Sequence, residues 1–125
     1  MKILLLTGLA GFVGTLARVS LMRVVNHHLT GFPWGTLTVN IAGAFLAGFL
    51  FVLCRAKFQQ YEDYFPLIFL GFLGAFTTFS TFALESVRYF FDAQYTRFIL
   101  NVLLQNATGL LAAGSGFMLA KALFK

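Results

Sequence analysis

Charge is scarce in this chain. Aspartate, glutamate, lysine and arginine make up 10% of its 125 residues, against roughly 25% in a soluble domain. So few charges cannot cover a water-facing surface, and 59% of the residues are hydrophobic. The bilayer is therefore the expected solvent. Acids are the scarcer sign, limited to Glu62, Asp63, Glu85 and Asp92. None lies in the middle of an apolar run, and no Ser-His-Asp arrangement, phosphate loop or zinc motif accompanies them. These absences argue against an enzyme. The single cysteine, Cys54, excludes an intrachain disulfide and a thiolate metal cage. It reads as a small apolar residue at a helix end. The net charge is +5, but its cations are scattered, and no basic run supports nucleic-acid binding.

Four long apolar runs are present: Ile3 to Val25, Trp34 to Leu53, Tyr64 to Leu84 and Phe98 to Ala120. Each approaches the ~20 residues that cross about 30 Å of hydrocarbon as a helix. The first ends in Arg18 and Arg23 and has no small-x-small cleavage site, so it does not read as a signal peptide. Short connections link the runs, including an Asn26 to Pro33 loop that holds His27 and His28. The expected architecture is all-α, a single transmembrane domain over residues 1–125, with four helices in an antiparallel bundle. The adjacent histidines read as solvated loop residues, since no third ligand falls at a suitable spacing.

The cations divide almost evenly between the two ends of such a bundle. Lys2, Arg55, Lys57, Lys121 and Lys125 fall on the N-terminal side, and Arg18, Arg23, Arg88 and Arg97 on the other. Five against four gives the positive-inside rule nothing to act on. Either other signals fix the orientation, or both orientations insert and pair as an antiparallel dimer. Small residues that let backbones approach are available in Gly8, Gly11, Gly14, Gly43, Ala47, Gly48, Gly109, Ala113, Gly114 and Gly116.

Polar residues inside the runs carry the functional signal. Asn40 lies mid-span, four residues after Thr36, so the two share a helix face. Its amide suits either an interhelical hydrogen bond or donation to a passing anion. The third run contains Thr77-Thr78-Phe79-Ser80-Thr81-Phe82, which leaves no clean lipid face. Backbone that departs from helix at such depth must be satisfied by protein, water or an ion. Phe79 and Phe82 are one turn apart, and aromatic ring edges are weakly positive. Such edges can coordinate a small anion without the full charge that would trap it. Arg18 suits a vestibule charge or a side chain snorkelling to headgroups. Glu85 suits an arginine pair or the mouth of a polar pathway. Asn101, Gln105 and Thr108 form a polar face on the fourth run, compatible with packing or with pore lining.

Three blocks in this order resemble the Fluc family of fluoride channels, also called CrcB. They are Gly11-x-x-Gly14-x-x-x-Arg18, then Phe32-Pro33-Trp34-Gly35-Thr36-Leu37-x-x-Asn40-x-x-Gly43, then Gly71-Phe72-Leu73-Gly74-x-x-Thr77-Thr78-Phe79-Ser80-Thr81-Phe82-x-x-Glu85. The resemblance covers essentially the whole chain. It implies an antiparallel, dual-topology homodimer with two fluoride pores in the bacterial inner membrane. It implies a broken third helix, where backbone carbonyls at Gly74 and Thr77 hold a structural sodium ion that is not transported. It places Asn40, Phe79 and Phe82 on the fluoride path, with Thr36, Ser80, Arg18 and Glu85 as further candidates. The fourth run departs from the family's usual tyrosine and serines, having Asn101 and Gln105 there instead. Two other functions share parts of this pattern. A small proton-coupled multidrug exporter needs a membrane-embedded carboxylate that the first span lacks. A non-conducting structural subunit would use the same polar groups only as packing contacts.

Overall fold

The computed structural model describes residues 1–124. Lys125, one of the cations counted at the N-terminal side, lies outside them. The described chain is all-helical. Helix α1 covers Lys2–His28 and α2 covers Trp34–Lys57. A 3₁₀ helix over Gln59–Tyr64 leads into a π-helical segment, Leu67–Leu73, which runs on into α3, Gly74–Phe76. Helices α4, Phe79–Phe91, and α5, Tyr95–Leu123, complete the chain. Four helical stretches are long and apolar enough to cross a membrane, the third running from Gln59 to Phe91.

The helices outrun the apolar spans that define them in the sequence. Helix α1 continues through His27 and His28, which are helical rather than in a loop. Helix α2 likewise continues through Arg55 and Lys57. Basic residues in a last turn face the negative end of the helix dipole, so the helix need not stop where apolarity stops. Between α4 and α5 only Asp92, Ala93 and Gln94 are non-helical. The Gln94 N–H reaches the Tyr89 carbonyl at 2.8 Å and the Ala93 N–H reaches that of Phe90 at 3.1 Å. This is a Schellman cap, with Ala93 at φ 55° where glycine is usual.

Packing relies on close backbone approach more than on large side chains. The fully apolar core is small: Leu37, Val39, Cys54, Leu73, Phe76, Phe82 and Ala120. Helix α2 lies along α5 through a reciprocal glycine pair. A Cβ on Gly48 would overlap the Ala113 carbonyl, and one on Gly116 would overlap that of Phe45. Helix α1 lies on the π-helical segment in the same manner, Gly14 meeting the Phe72 carbonyl and Gly71 that of Thr7. In lipid there is no hydrophobic drive between helices, so such van der Waals contact has to hold them. Added Cβ atoms at Gly8, Gly109 and Gly114 would meet nothing within 4 Å. Those three glycines face out of the subunit.

The junction of α1 and α2 is fixed by one side chain. Asn26 Oδ1 accepts the Gly35 N–H at 2.9 Å. That satisfies one of the amides a helix start leaves unpaired. A Cβ at Gly35 would sit 2.6 Å from the same oxygen, so a larger residue would push the Asn26 amide off this bond.

Candidate functional site

Two extended residues, Thr77 and Thr78, separate α3 from α4. Thr77 has φ −87° and ψ 160°, and Thr78 has φ −147° and ψ 101°. Extended backbone inside a span leaves its N–H and C=O groups without helical partners. Asn40, reaching across from α2, satisfies both groups of Thr78. Its Oδ1 accepts the Thr78 N–H at 2.8 Å and its Nδ2 donates to the Thr78 carbonyl at 3.2 Å. Thr78 in turn caps α4, its Oγ1 accepting the Thr81 N–H at 3.2 Å. The Thr77 hydroxyl folds back to the Leu73 carbonyl at 3.0 Å.

The second hydrogen of Asn40 Nδ2 goes to Gln105 Oε1 on α5, at 3.0 Å. Asn40 therefore joins three spans and has no free donor. The Gln105 Nε2 atom is buried without a partner. One turn earlier on α5, Asn101 is wholly buried. It donates to Ser86 Oγ at 3.0 Å, and Ser86 donates to the Phe82 carbonyl at 2.8 Å. This relay ties α5 to the turn of α4 that carries Phe82. Asn101 Oδ1 is itself unpaired. Thr108, the third member of the expected polar face, bonds to Leu104 of its own helix instead.

Phe79 and Phe82 meet edge to face, their ring centres 5.5 Å apart. Phe82 is buried, whereas Phe79 is 76% exposed. Both border an open groove of about 420 Å³ that also touches Asn40, Gln105, Gly74 and Thr77. No charged side chain lines that groove. Thr36 does not border it. Thr36 is buried and donates to Glu85 Oε1 at 2.7 Å, leaving Glu85 Oε2 buried and unpaired. Glu85 borders a separate polar cavity of about 430 Å³, shared with Arg88, Asp92 and Arg97 at the end of the bundle. Ser80 is exposed on α4 and Arg18 half-buried on α1, and neither lines the groove. Among the described residues no cluster of His, Cys, Asp or Glu suits a metal ion.

The structure thus gathers Asn40, Phe79, Phe82, Gly74 and Thr77 at one groove, and pairs Thr36 with Glu85 elsewhere. Ser86 was not signalled by the sequence, being one serine on an amphipathic turn. Gln105 was signalled only as part of a polar face. Its direct bond to Asn40 needs the register of α5 on α2, which helical periodicity alone does not give.

Comparison with known proteins gives the family of the chain. The family described as "CrcB-like protein, Camphor Resistance (CrcB)" matches residues 5–117. The fluoride-specific ion channel FluC of Desulforapulum autotrophicum is 41% identical over 114 residues, covering 90% of this chain and 91% of that protein. The protein of the same name from Magnetococcus marinus is 39% identical over 114 residues, covering 90% and 93%. That of Legionella pneumophila (strain Lens) is 38% identical over 119 residues, covering 94% and 88%. The chain belongs to the CrcB family.

Proposed function

We propose that this chain is a fluoride-selective channel of the bacterial inner membrane, letting fluoride leave the cytoplasm by passive electrodiffusion. The observation that carries the reading is the uncharged groove at the two extended residues. It brings aromatic rings and a buried amide donor together with no fixed cation. Helix α4 begins there, and the first N–H groups of a helix lack intrahelical acceptors and favour anions. A small anion can be coordinated in such a groove without being held. The function is conduction, not catalysis, and the protein is multi-pass.

The conducting unit is an antiparallel homodimer. The groove is open on one side, Phe79 projects from it, and Gly109 on its border faces empty space. A second copy would supply the missing wall, and the balanced cations allow it the opposite orientation. The two extended residues are the break in the third helix. Carbonyls at Gly74 and Thr77 fit a structural sodium ion. Both residues border the groove, and the last carbonyls of a helix are unpaired, hard oxygen donors. Such an ion would neutralise carbonyl dipoles brought together at the dimer centre. Replacing sodium by a bulky organic cation on both sides of the membrane should therefore reduce fluoride efflux, and restoring sodium should recover it. Unchanged efflux after exhaustive sodium removal would refute the proposed ion.

The multidrug-exporter reading is disfavoured by the position of Glu85, which lies in the outer cavity among arginines and not in the groove. Efflux from proteoliposomes, followed with a fluoride electrode and with valinomycin present, tests the channel directly. Fluoride should leave rapidly while chloride is retained. Phe79→Ala and Phe82→Ala should each slow efflux about tenfold, the equivalent of one lost aromatic contact. Folded dimer that releases no more fluoride than empty liposomes would sink the proposal and leave the structural-subunit reading.

A further inference from the structure

We propose that Gln105 Nε2 is the side-chain donor that meets the anion in the groove, and that Asn40 is the positioning residue that aims it. This rests on the channel reading above. The orientation of both amides follows from backbone chemistry, without reference to hydrogens. The Thr78 N–H can only donate and its carbonyl can only accept. Asn40 therefore turns Oδ1 to the former and Nδ2 to the latter, at 2.8 and 3.2 Å. The remaining Nδ2 hydrogen points at Gln105, 3.0 Å away, so the Gln105 atom facing it must be the acceptor Oε1. Gln105 Nε2 is thereby turned away from Asn40.

That nitrogen is buried and unpaired, on a side chain that is 7% exposed and borders the groove. A buried donor without an acceptor is costly. The position makes sense where an acceptor arrives. Of the other side-chain donors on the groove, Asn40 is fully engaged and Thr77 is bonded to the Leu73 carbonyl, while Asn106, exposed, bonds the Val102 carbonyl and keeps its second amide hydrogen for water. An amide is neutral, so it can bind an anion and still release it. Unlike a hydroxyl, this one cannot rotate to present its oxygen, because Asn40 holds that oxygen.

The test compares fluoride efflux through the full-length wild-type dimer, Gln105→Met and Gln105→Glu. Gln105→Met keeps the length and removes the donor. It should slow efflux roughly ten- to a hundredfold, the range for one hydrogen bond to a charged group. Gln105→Glu keeps an oxygen towards Asn40 and puts a second oxygen where the donor was. Its efflux, corrected for empty liposomes, should be low in mildly alkaline buffer and rise in mildly acidic buffer as the carboxyl gains a proton. The wild type should lack that profile, since no titratable side chain lines the groove. Gln105→Met matching a conducting wild type would overturn the proposal and leave Nε2 serving only an ordered water. So would Gln105→Glu tracking the wild type at every pH. A wild type that does not conduct sinks the channel reading itself, which separates the two failures.

Discussion

Asn40→Ala is expected to abolish fluoride efflux and to destabilise the subunit by roughly 2–6 kcal/mol. The figure follows from leaving a buried N–H and a buried carbonyl at Thr78 unpaired, at about 1–3 kcal/mol each. Both groups sit in extended backbone that no helix can serve. The substitution also frees Gln105 Oε1, so the donor on α5 is no longer oriented. Thermal unfolding of the detergent-solubilised protein, with hydrogen exchange at the Thr78 amide, would show the first effect. Proteoliposome efflux would show the second. A variant that melts with the wild type and still conducts would mean that water replaces the amide, and that Asn40 is dispensable to the site. Asn40→Asp refines the test. Its carboxylate can accept the Thr78 N–H but cannot donate to the Thr78 carbonyl or to Gln105. It should preserve part of the stability and none of the orientation.

Much of this was legible in the sequence. The four membrane-crossing stretches follow from apolar runs broken by short polar connections. That Asn40 is special follows from the cost of an amide in hydrocarbon, which obliges it to find partners. Which partners it finds was not legible. The bond to Thr78 depends on how two spans are set against each other, 38 residues apart in the chain. The pairing of Thr36 with Glu85 was hidden for the same reason. Both residues were singled out, yet the shared helix face of Thr36 and Asn40 suggested one polar stripe. Instead Thr36 is buried against Glu85, which borders the outer cavity, and Asn40 borders the groove. The π-helical segment was also unforeseen. Gly71 and Phe72 open the third block of the resemblance, but their residue types do not signal a π-helical turn, and only their close contact with α1 shows how near the backbones come.

Gly116→Ala, one carbon larger, should cost about 1–3 kcal/mol, the usual range for overpacking, and should impair efflux as well. The new Cβ would overlap the Phe45 carbonyl and lie 3.0 Å from the Phe49 nitrogen. These are backbone atoms of α2, so no side chain can swing aside, and the two helices must part. Gly48→Ala should act alike, against Ala113 and Phe117 of α5. The functional loss follows from what the same helix pair carries. Asn40 on α2 and Gln105 on α5 are held at 3.0 Å by that crossing. Spreading the helices stretches this bond and turns the α5 donor away from the groove. Gly114→Ala is the internal control, because its Cβ meets nothing in the subunit. It should leave the fold of one subunit unchanged, within about 0.5 kcal/mol. If the outward glycines of α5 serve the proposed dimer, Gly114→Ala will shift the monomer–dimer equilibrium in detergent while Gly116→Ala lowers the melting temperature of both species. Equal effects of the two substitutions on melting would contradict the assignment of Gly116 to the contact between α2 and α5.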